Sequence, residues 1–436
     1  MQRPQPADGD KPPTRIFHAD AWGLRQQKYD YLAANDLTTT EWQQLAPTAP
    51  GFYFVPKDFG LDENEYLSLP SVNADIFDKG NAGIQTKQDN VVYQFYQQDL
   101  KDLIDDLKDS SNVDFAAKYK ASLSGNWTVK EAQTDALHNS GVVVQALRRP
   151  FDIRWTYYTG KKGLMARPRQ PEMGNALKQN LLFLTVRNPR RGNTDSFFVA
   201  DKIVDKDAVS PLDNATFYPL YLYPTPQEQQ LGMTERRANL KPQFVAAVTE
   251  RLGLSFIGDG KGDLTATFGP EDIFHYMYAI FHSPEYRRRY AELLKTDYPR
   301  LPLTSDRALF AQLCGLGERL VGLHLLKPTP MPTSTYPVSR LDNTNPVTQP
   351  RYEPGDGGHI HINDTQYFGN VPPDVWEFQI GGYQVAKKWL KDRKGRDLKP
   401  DDLKHYRQVL AALAATISTM VEVDDAITAA GGWPLA

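Results

Sequence analysis

Residues 141–158 read GVVVQALRRPFDIRWTYY, and this stretch decides the fold class of the chain. Its short runs of β-branched and aromatic side chains are typical of strands, and a proline interrupts them where a turn is expected. Similar runs follow in LLFLTVRN (181–188), SFFVADKIV (196–204) and ATFYPLYLYP (215–224), with Gly, Pro or Asn between them. The pattern predicts a β-rich unit over residues 141–240.

The residues on both sides of this unit have a helical period. QQDLKDLIDDLKD (97–109) places four apolar residues on one face, with acidic residues opposite. A leucine stripe within residues 306–326 and an apolar face from Lys387 to Ala430 predict further helices. Between these two helical regions, HIHI (359–362) and VWEFQI (375–380) are short strand candidates.

These patterns together predict an α+β fold in four parts. The parts are a helical N-terminal spacer (1–140), the β-rich recognition unit (141–240), a helical scaffold (241–330), and a short β insert followed by a C-terminal helical bundle (331–436).

The chain has 436 residues, of which 40% are apolar and 24% are charged. This length and composition indicate a globular chain of about three folding units. No apolar run approaches the roughly 18 residues that cross a bilayer, and the N-terminus lacks the apolar stretch of a secretory signal. The single Cys314 excludes an internal disulfide framework and a cysteine-based zinc site. These features predict a cytoplasmic protein without a membrane partner.

Charge is segregated along the chain, although the formal net charge is only −3. Residues 1–140 contain 13 Lys and Arg against 21 Asp and Glu. Residues 148–191 contain 11 Lys and Arg but only two Asp and Glu. A swing of this size favours a local anion-binding surface, for which nucleic acid is one candidate ligand. The alternative is a solvated face of a β-rich domain.

The candidate DNA-binding residues fall into three groups. The basic segment contributes Arg154, Lys161, Lys162, Arg167, Arg169, Asn175, Gln179, Arg190 and Arg191. The loop HINDTQYFGN (361–370) contributes Asn363, Gln366 and Asn370, and the run KKWLKDRKGR (387–396) contributes Lys387, Lys391 and Lys394. We expect the basic residues to contact phosphates and the two polar loops, around residues 167–179 and 361–370, to read bases. The alternative is that the asparagines close turns and the lysines form the polar side of a helix.

Common catalytic signatures are missing: the chain contains no phosphate-binding loop, nucleophile elbow or His-Glu-x-x-His motif. His359 and His361 would project from one face of a strand and offer two metal ligands. A metal-dependent enzyme that uses this pair therefore remains an alternative, as does a protein-interaction subunit.

Four long strings occur in a fixed order along the chain. They are RRPFDIRWTYY (148–158), YPLYLYP (218–224), FGPEDIFHYMYAIFHSPEYRRRYAELLKTDYPRLPLTSD (268–306) and WEFQIGGYQVAKKWLKDRKGR (376–396). In this order they resemble the C-terminal specificity region of Type ISP restriction-modification enzymes and related adenine-specific DNA methylases. The resemblance extends from about Arg15 to the C-terminal helix.

In that family one polypeptide joins nuclease, helicase and adenine methyltransferase parts to a target-recognition domain, and the resemblance implies that this chain contains the last part. It also implies double-stranded DNA as a partner, together with methyltransferase and helicase–nuclease parts in cis or as separate subunits. Residues 1–140 are then expected to pack on the methyltransferase part. S-adenosylmethionine, ATP and Mg²⁺ are expected only in those other parts, because this chain has neither an Asn-Pro-Pro-Tyr-type motif nor a cofactor glycine motif.

In RPFD, Arg149 is expected to anchor a turn through Asp152.

Overall fold

The computed structural model describes residues 14–48, 52–56, 63–190, 192–336 and 344–435. The chain forms two compact units, residues 1–62 and 63–436. The elements of the first unit are β1 (Ile16–His18), α1 (Arg25–Ala34) and β2 (Gln43–Leu45). β1 and β2 pair antiparallel, and α1 has no buried side chain.

The second unit begins with short helices. Its first elements are α2 (Glu63–Ser68), β3 (Asn81–Ala82), α3 (Asp89–Val92), α4 (Gln97–Asp109), α5 (Asn112–Tyr119) and α6 (Val129–His138). In α4 the buried residues are Leu100, Leu103, Ile104 and Leu107, as the helical period predicts. The α5 and α6 helices begin after Ser111 and Thr128, whose hydroxyls accept backbone hydrogen bonds from the first turn.

The predicted β-rich part contains three small sheets. Its elements are β4 (Val142–Arg149), β5 (Asp152–Tyr158), β6 (Leu182–Val186), β7 (Phe198–Ala200), β8 (Ile203–Val204), β9 (Ala215–Pro219), β10 (Tyr221–Leu222), α7 (Pro226–Gln230) and β11 (Arg237–Ala238). One sheet has the order β5-β4-β8, the second has the order β3-β9-β6-β7, and the third pairs β10 with β11. Antiparallel pairing of β4 with β5 sets Ala146 opposite Arg154 and turns that side chain inward.

Helices dominate the next part of the chain. Its elements are α8 (Pro242–Leu252), β12 (Ser255–Phe256), β13 (Thr267–Phe268), α9 (Pro270–His282), α10 (Pro284–Arg289), α11 (Ala291–Leu294) and α12 (Arg307–Leu325). Asp306 caps α12 by accepting from the amides of Ala308 and Leu309. The α9 and α12 helices approach closely at Gly317, where a Cβ would lie 1.8 Å from the carbonyl oxygen of His275. Only glycine fits this crossing.

The C-terminal part joins a three-stranded and a two-stranded sheet to three further helices. Its elements are β14 (Arg351–Glu353), β15 (His359–His361), β16 (Tyr367–Gly369), α13 (Pro373–Glu377), β17 (Gln379–Ile380), β18 (Tyr383–Gln384), α14 (Val385–Lys391) and α15 (Pro400–Ala429). The α15 helix contacts both α9 and α12, which gives the predicted helical packing at the C-terminus. VWEFQI was expected to be a strand, but its first half belongs to α13, since Pro373 occupies the first turn of that helix.

The α+β prediction is confirmed by this mixture of helices and small sheets. The later boundaries, at 140, 240 and 330, all fall inside the second compact unit, so the four-part division stays a prediction. Within the described residues, no helix is both long and apolar enough to cross a membrane.

Candidate nucleic-acid interface

The most buried ionic group of the basic segment is centred on Asp152. The carboxylate of this residue forms a two-point ion pair with Arg154, at 2.8 and 2.9 Å, and lies 3.0 Å from Arg393. The Arg154 guanidinium also lies 3.5 Å from the centre of the Phe95 ring. Arg154 was predicted to contact DNA. The structure corrects this prediction, because the Arg154 side chain is buried and its charge is neutralised by Asp152.

The charge of Asp152 is stabilised by its neighbours. Burial alone would raise the pKa of this carboxyl, but the charges of Arg393 and Arg154 outweigh burial and hold the pKa well below its ordinary value. Arg393 belongs to the run KKWLKDRKGR, so the ionic group connects the two basic regions of the sequence. One carboxylate thus fixes the α14 end of the chain against β5.

The two preceding arginines also pair with acidic residues. Arg149 pairs with Asp205 at 2.9 Å, so it does not anchor its turn through Asp152 as expected. Arg148 lies 2.9 Å from Asp392, 3.1 Å from Asp89 and 3.6 Å from Asp152. The antiparallel pairing of β4 and β5 sets the backbone of Arg149 opposite that of Asp152, but the two side chains find different partners.

Several cations of the basic segment do lie on the surface. Lys161 and Arg167 are exposed, and no described acidic group pairs with either of them. Lys162 is exposed but lies 3.0 Å from Glu131, and Arg190 lies 3.5 Å from Asp213. Arg191 is outside the described residues.

The first polar loop, around residues 167–179, is partly structural. Arg169 adopts a φ of +66°, and burial together with the nearby charge of Arg167 lowers its pKa. An anion bound beside these two guanidinium groups would relieve their repulsion. Asn175 donates to the Glu172 carbonyl and accepts from the Tyr223 amide, whereas the side chain of Gln179 is exposed.

The second polar loop, residues 361–370, does not present the predicted side chains. Asn363 and Gln366 are buried and hydrogen-bonded to each other at 2.6 Å. The Asn363 amide also donates to the Pro346 carbonyl, and its oxygen accepts from the Gln366 backbone. Asn370 is exposed and donates to the Thr333 carbonyl. The turn-closing interpretation is therefore the correct one for Asn363, and Gln366 stabilises the same turn.

The α14 helix has the arrangement that its sequence predicts. Trp389 and Leu390 are buried, and Lys387, Lys391 and the following Lys394 are exposed. None of these three lysines forms an ion pair with any residue that the structure describes, while Lys388 pairs with Asp392 within the same turn. We call Lys387, Lys391 and Lys394 the α14 lysine stripe.

The face of the three-stranded sheet opposite the core was not predicted as a whole. It carries Arg351, Glu353, His359, His361 and Tyr367. The alternation of polar and apolar residues in RYE, HIH and YFG was the signal that could have identified it. Across the described ranges, no three His, Cys, Asp or Glu side chains are grouped as metal ligands, so the histidine pair finds no third ligand there.

The comparison with family models identifies one family. The model of the Type ISP C-terminal specificity domain matches residues 75–422. No curated protein matches the sequence. Among solved structures, a nuclease-deletion mutant of the Type ISP restriction-modification enzyme LlaGI with a DNA substrate mimic is 18% identical, with a TM-score of 0.63 over 94% of this chain and 33% of that one.

Two further structures have the same fold. A DrdV–DNA complex is 20% identical, with a TM-score of 0.66 over 94% of this chain and 43% of that one. The ATP-dependent Type ISP enzyme LlaBIII bound to DNA is 18% identical, with a TM-score of 0.65 over 92% of this chain and 27% of that one. This chain thus spans less than half of each of these larger proteins.

Proposed function

The chain belongs to the family of Type ISP C-terminal specificity domains, and on this premise we propose that it recognises a short sequence in double-stranded DNA for a restriction-modification system. In this role it positions an adenine methyltransferase and a helicase–nuclease on the duplex and performs no chemistry itself. S-adenosylmethionine, ATP and Mg²⁺ belong to those partner parts. The proposal includes a cytoplasmic location, where these partners and their DNA substrate meet.

The observation that carries the proposal is the α14 lysine stripe. Its three exposed cations, two on α14 and one in the following turn, have no acidic partner among the described residues. A row of this kind suits the phosphates of a nucleic-acid backbone, because each neutralised phosphate releases condensed counterions. The buried ionic group around Asp152 gives the row a rigid base, since it fixes Arg393 one residue before Lys394.

The test is the salt dependence of duplex binding. Replacing Lys391 and Lys394 together by Ala should weaken binding to every duplex by a similar factor, and it should flatten the plot of log K against log salt by about one unit per lost phosphate contact. Affinity is measured by fluorescence anisotropy at several salt concentrations.

The control is the pair Lys101→Ala and Lys108→Ala on α4, which removes the same charge from an acidic helix. This control should retain the parent slope. If both double variants retain it, the α14 lysine stripe does not contact DNA.

A further inference from the structure

The sheet β14–β15–β16 has two chemically different faces. In the pairing register, Tyr352, Ile360 and Phe368 are aligned across the three strands. Ile360 and Phe368 are buried, and Tyr352 stacks on Trp376 with ring centres 5.7 Å apart. This face belongs to the core and holds the sheet in place.

The opposite face is polar and internally ordered. Arg351, His361 and Tyr367 form one row across the strands, and Glu353 and His359 lie in the next row. The Tyr367 ring lies 4.3 Å from that of His359 and 5.3 Å from that of His361. Glu353 lies 2.9 Å from Nε2 of His361. The ring contacts hold the side chains of this face in place before any ligand arrives, which is a requirement for specific recognition.

This face is fixed relative to the α14 lysine stripe. The segment that leads into β14 forms backbone hydrogen bonds with the turn after α14. The Val347 amide donates to the Arg396 carbonyl oxygen at 2.9 Å, and the Gly395 amide donates to the Val347 carbonyl oxygen at 2.8 Å. The Leu398 amide donates to Asn345 in the same way. These bonds hold the segment before β14 and the turn that carries Lys394 in one fixed arrangement.

The side chains on this face have the chemistry of base recognition. Arginine reads guanine by two parallel hydrogen bonds, and glutamate accepts from the amino group of cytosine. Three strands spaced about 4.8 Å apart present a surface roughly 10 Å wide, and the major groove is about 12 Å wide. Arg351 is balanced by Asp364 at 3.7 Å and Glu353 adds a negative charge, so the face contributes little non-specific attraction.

We propose that the outward face of the sheet β14–β15–β16 reads base edges in the major groove through Arg351, His359 and Tyr367, while the buried His361 packs against the Tyr367 ring. The inference rests on the proposed function and divides the work between two surfaces: the α14 lysine stripe supplies affinity, and the sheet supplies discrimination. It replaces Asn363 and Gln366, which are buried, as the predicted readers of this region.

The experiment uses the full chain and a library of randomised duplexes. Selection with the parent protein defines the preferred sequence, and anisotropy then gives the affinities for this duplex, for its single-base variants and for an unrelated duplex. Arg351→Lys keeps the charge but loses the two-point geometry. We expect it to lower the affinity for the preferred duplex about tenfold or more, to abolish discrimination at one base position, and to leave the unrelated duplex unaffected.

The control is Arg288→Lys, since Arg288 is also exposed and paired with one acidic residue, on α10. Tyr367→Phe is the second test variant, because it removes one hydroxyl and keeps the ring. If the parent selects a sequence and neither sheet variant changes its discrimination, the sheet is not the reader and the proposed function stands. If the parent binds all duplexes alike, the proposed function itself is wrong.

Discussion

At the scale of single residues, the decisive distinction is between arginines that are used inside the protein and cations left for a ligand. Arg154 and Lys161 are seven residues apart in the same basic segment, yet one is buried against Asp152 and the other is exposed. A count of charges cannot separate them, because the count does not contain the strand register that turns Arg154 inward. The sequence predicted Asp152 as an ion-pair partner of Arg149, but it did not reveal that Arg154 and Arg393 are the nearest partners of this carboxylate.

Asp152 should therefore be essential for stability. Asp152→Asn removes the counter-charge and leaves Arg154 and Arg393 facing each other in the interior, so we expect a loss of about 3–5 kcal/mol in the free energy of unfolding. Urea denaturation measures the loss. The exposed Asp105→Asn on α4 is the control, with an expected change within about 0.5 kcal/mol. A similar small loss for Asp152→Asn would mean that the pair is not stabilising.

The same carboxylate gives the stability a definite pH dependence. Its folded pKa lies below the unfolded value of about 3.9, so its contribution is complete above that pH and disappears as the pH falls through the folded pKa. The difference between the parent and Asp152→Asn should then shrink only under strongly acidic conditions. A difference that vanishes between pH 7 and pH 5 would assign the stability to another group.

At the scale of elements, periodicity predicted the long amphipathic helices, but it did not predict the short elements and loops whose structure depends on tertiary contacts. The apolar faces of α4, α12 and α15 were recognised because each repeats over several turns. VWEFQI is too short to show a helical or strand period, and a helix begins just before it at Pro373. Polar loops were predicted to face DNA because Asn and Gln can read bases, but a sequence does not reveal that Asn363 finds its partners at Pro346 and Gln366.

Asn363 should accordingly affect folding and leave recognition intact. Asn363→Ala removes a buried donor to Pro346 and the acceptor for the Gln366 amide, with an expected cost of about 1–3 kcal/mol in unfolding free energy. The folded fraction should still discriminate the preferred duplex from its single-base variants. Gln179→Ala, at an exposed side chain, is the stability control. Loss of discrimination by folded Asn363→Ala would restore this residue as a reader.

At the scale of the whole molecule, the two compact units differ in what they bury. The large hydrophobic cluster of the second unit draws on residues from Ile84 to Leu413. In the first unit, by contrast, none of the described residues is fully buried. Trp22 and Leu37 are 81% and 80% exposed, and Leu24 is 76% exposed. Several large apolar side chains exposed in one small unit indicate a surface that a partner covers.

We predict that the methyltransferase part proposed above as a partner covers this surface, as the family resemblance implies for residues 1–140. Leu24→Ser combined with Leu37→Ser should weaken binding of the full chain to that part, produced separately, by about tenfold or more, since each buried leucine contributes about 1.5–3 kcal/mol. Calorimetric titration measures this affinity. Leu231→Ser is the control, because Leu231 is equally exposed, at 80%, but lies in the second unit. Both variants should bind DNA like the parent. If the double variant also binds the methyltransferase part like the parent, the apolar surface of the first unit has a different partner.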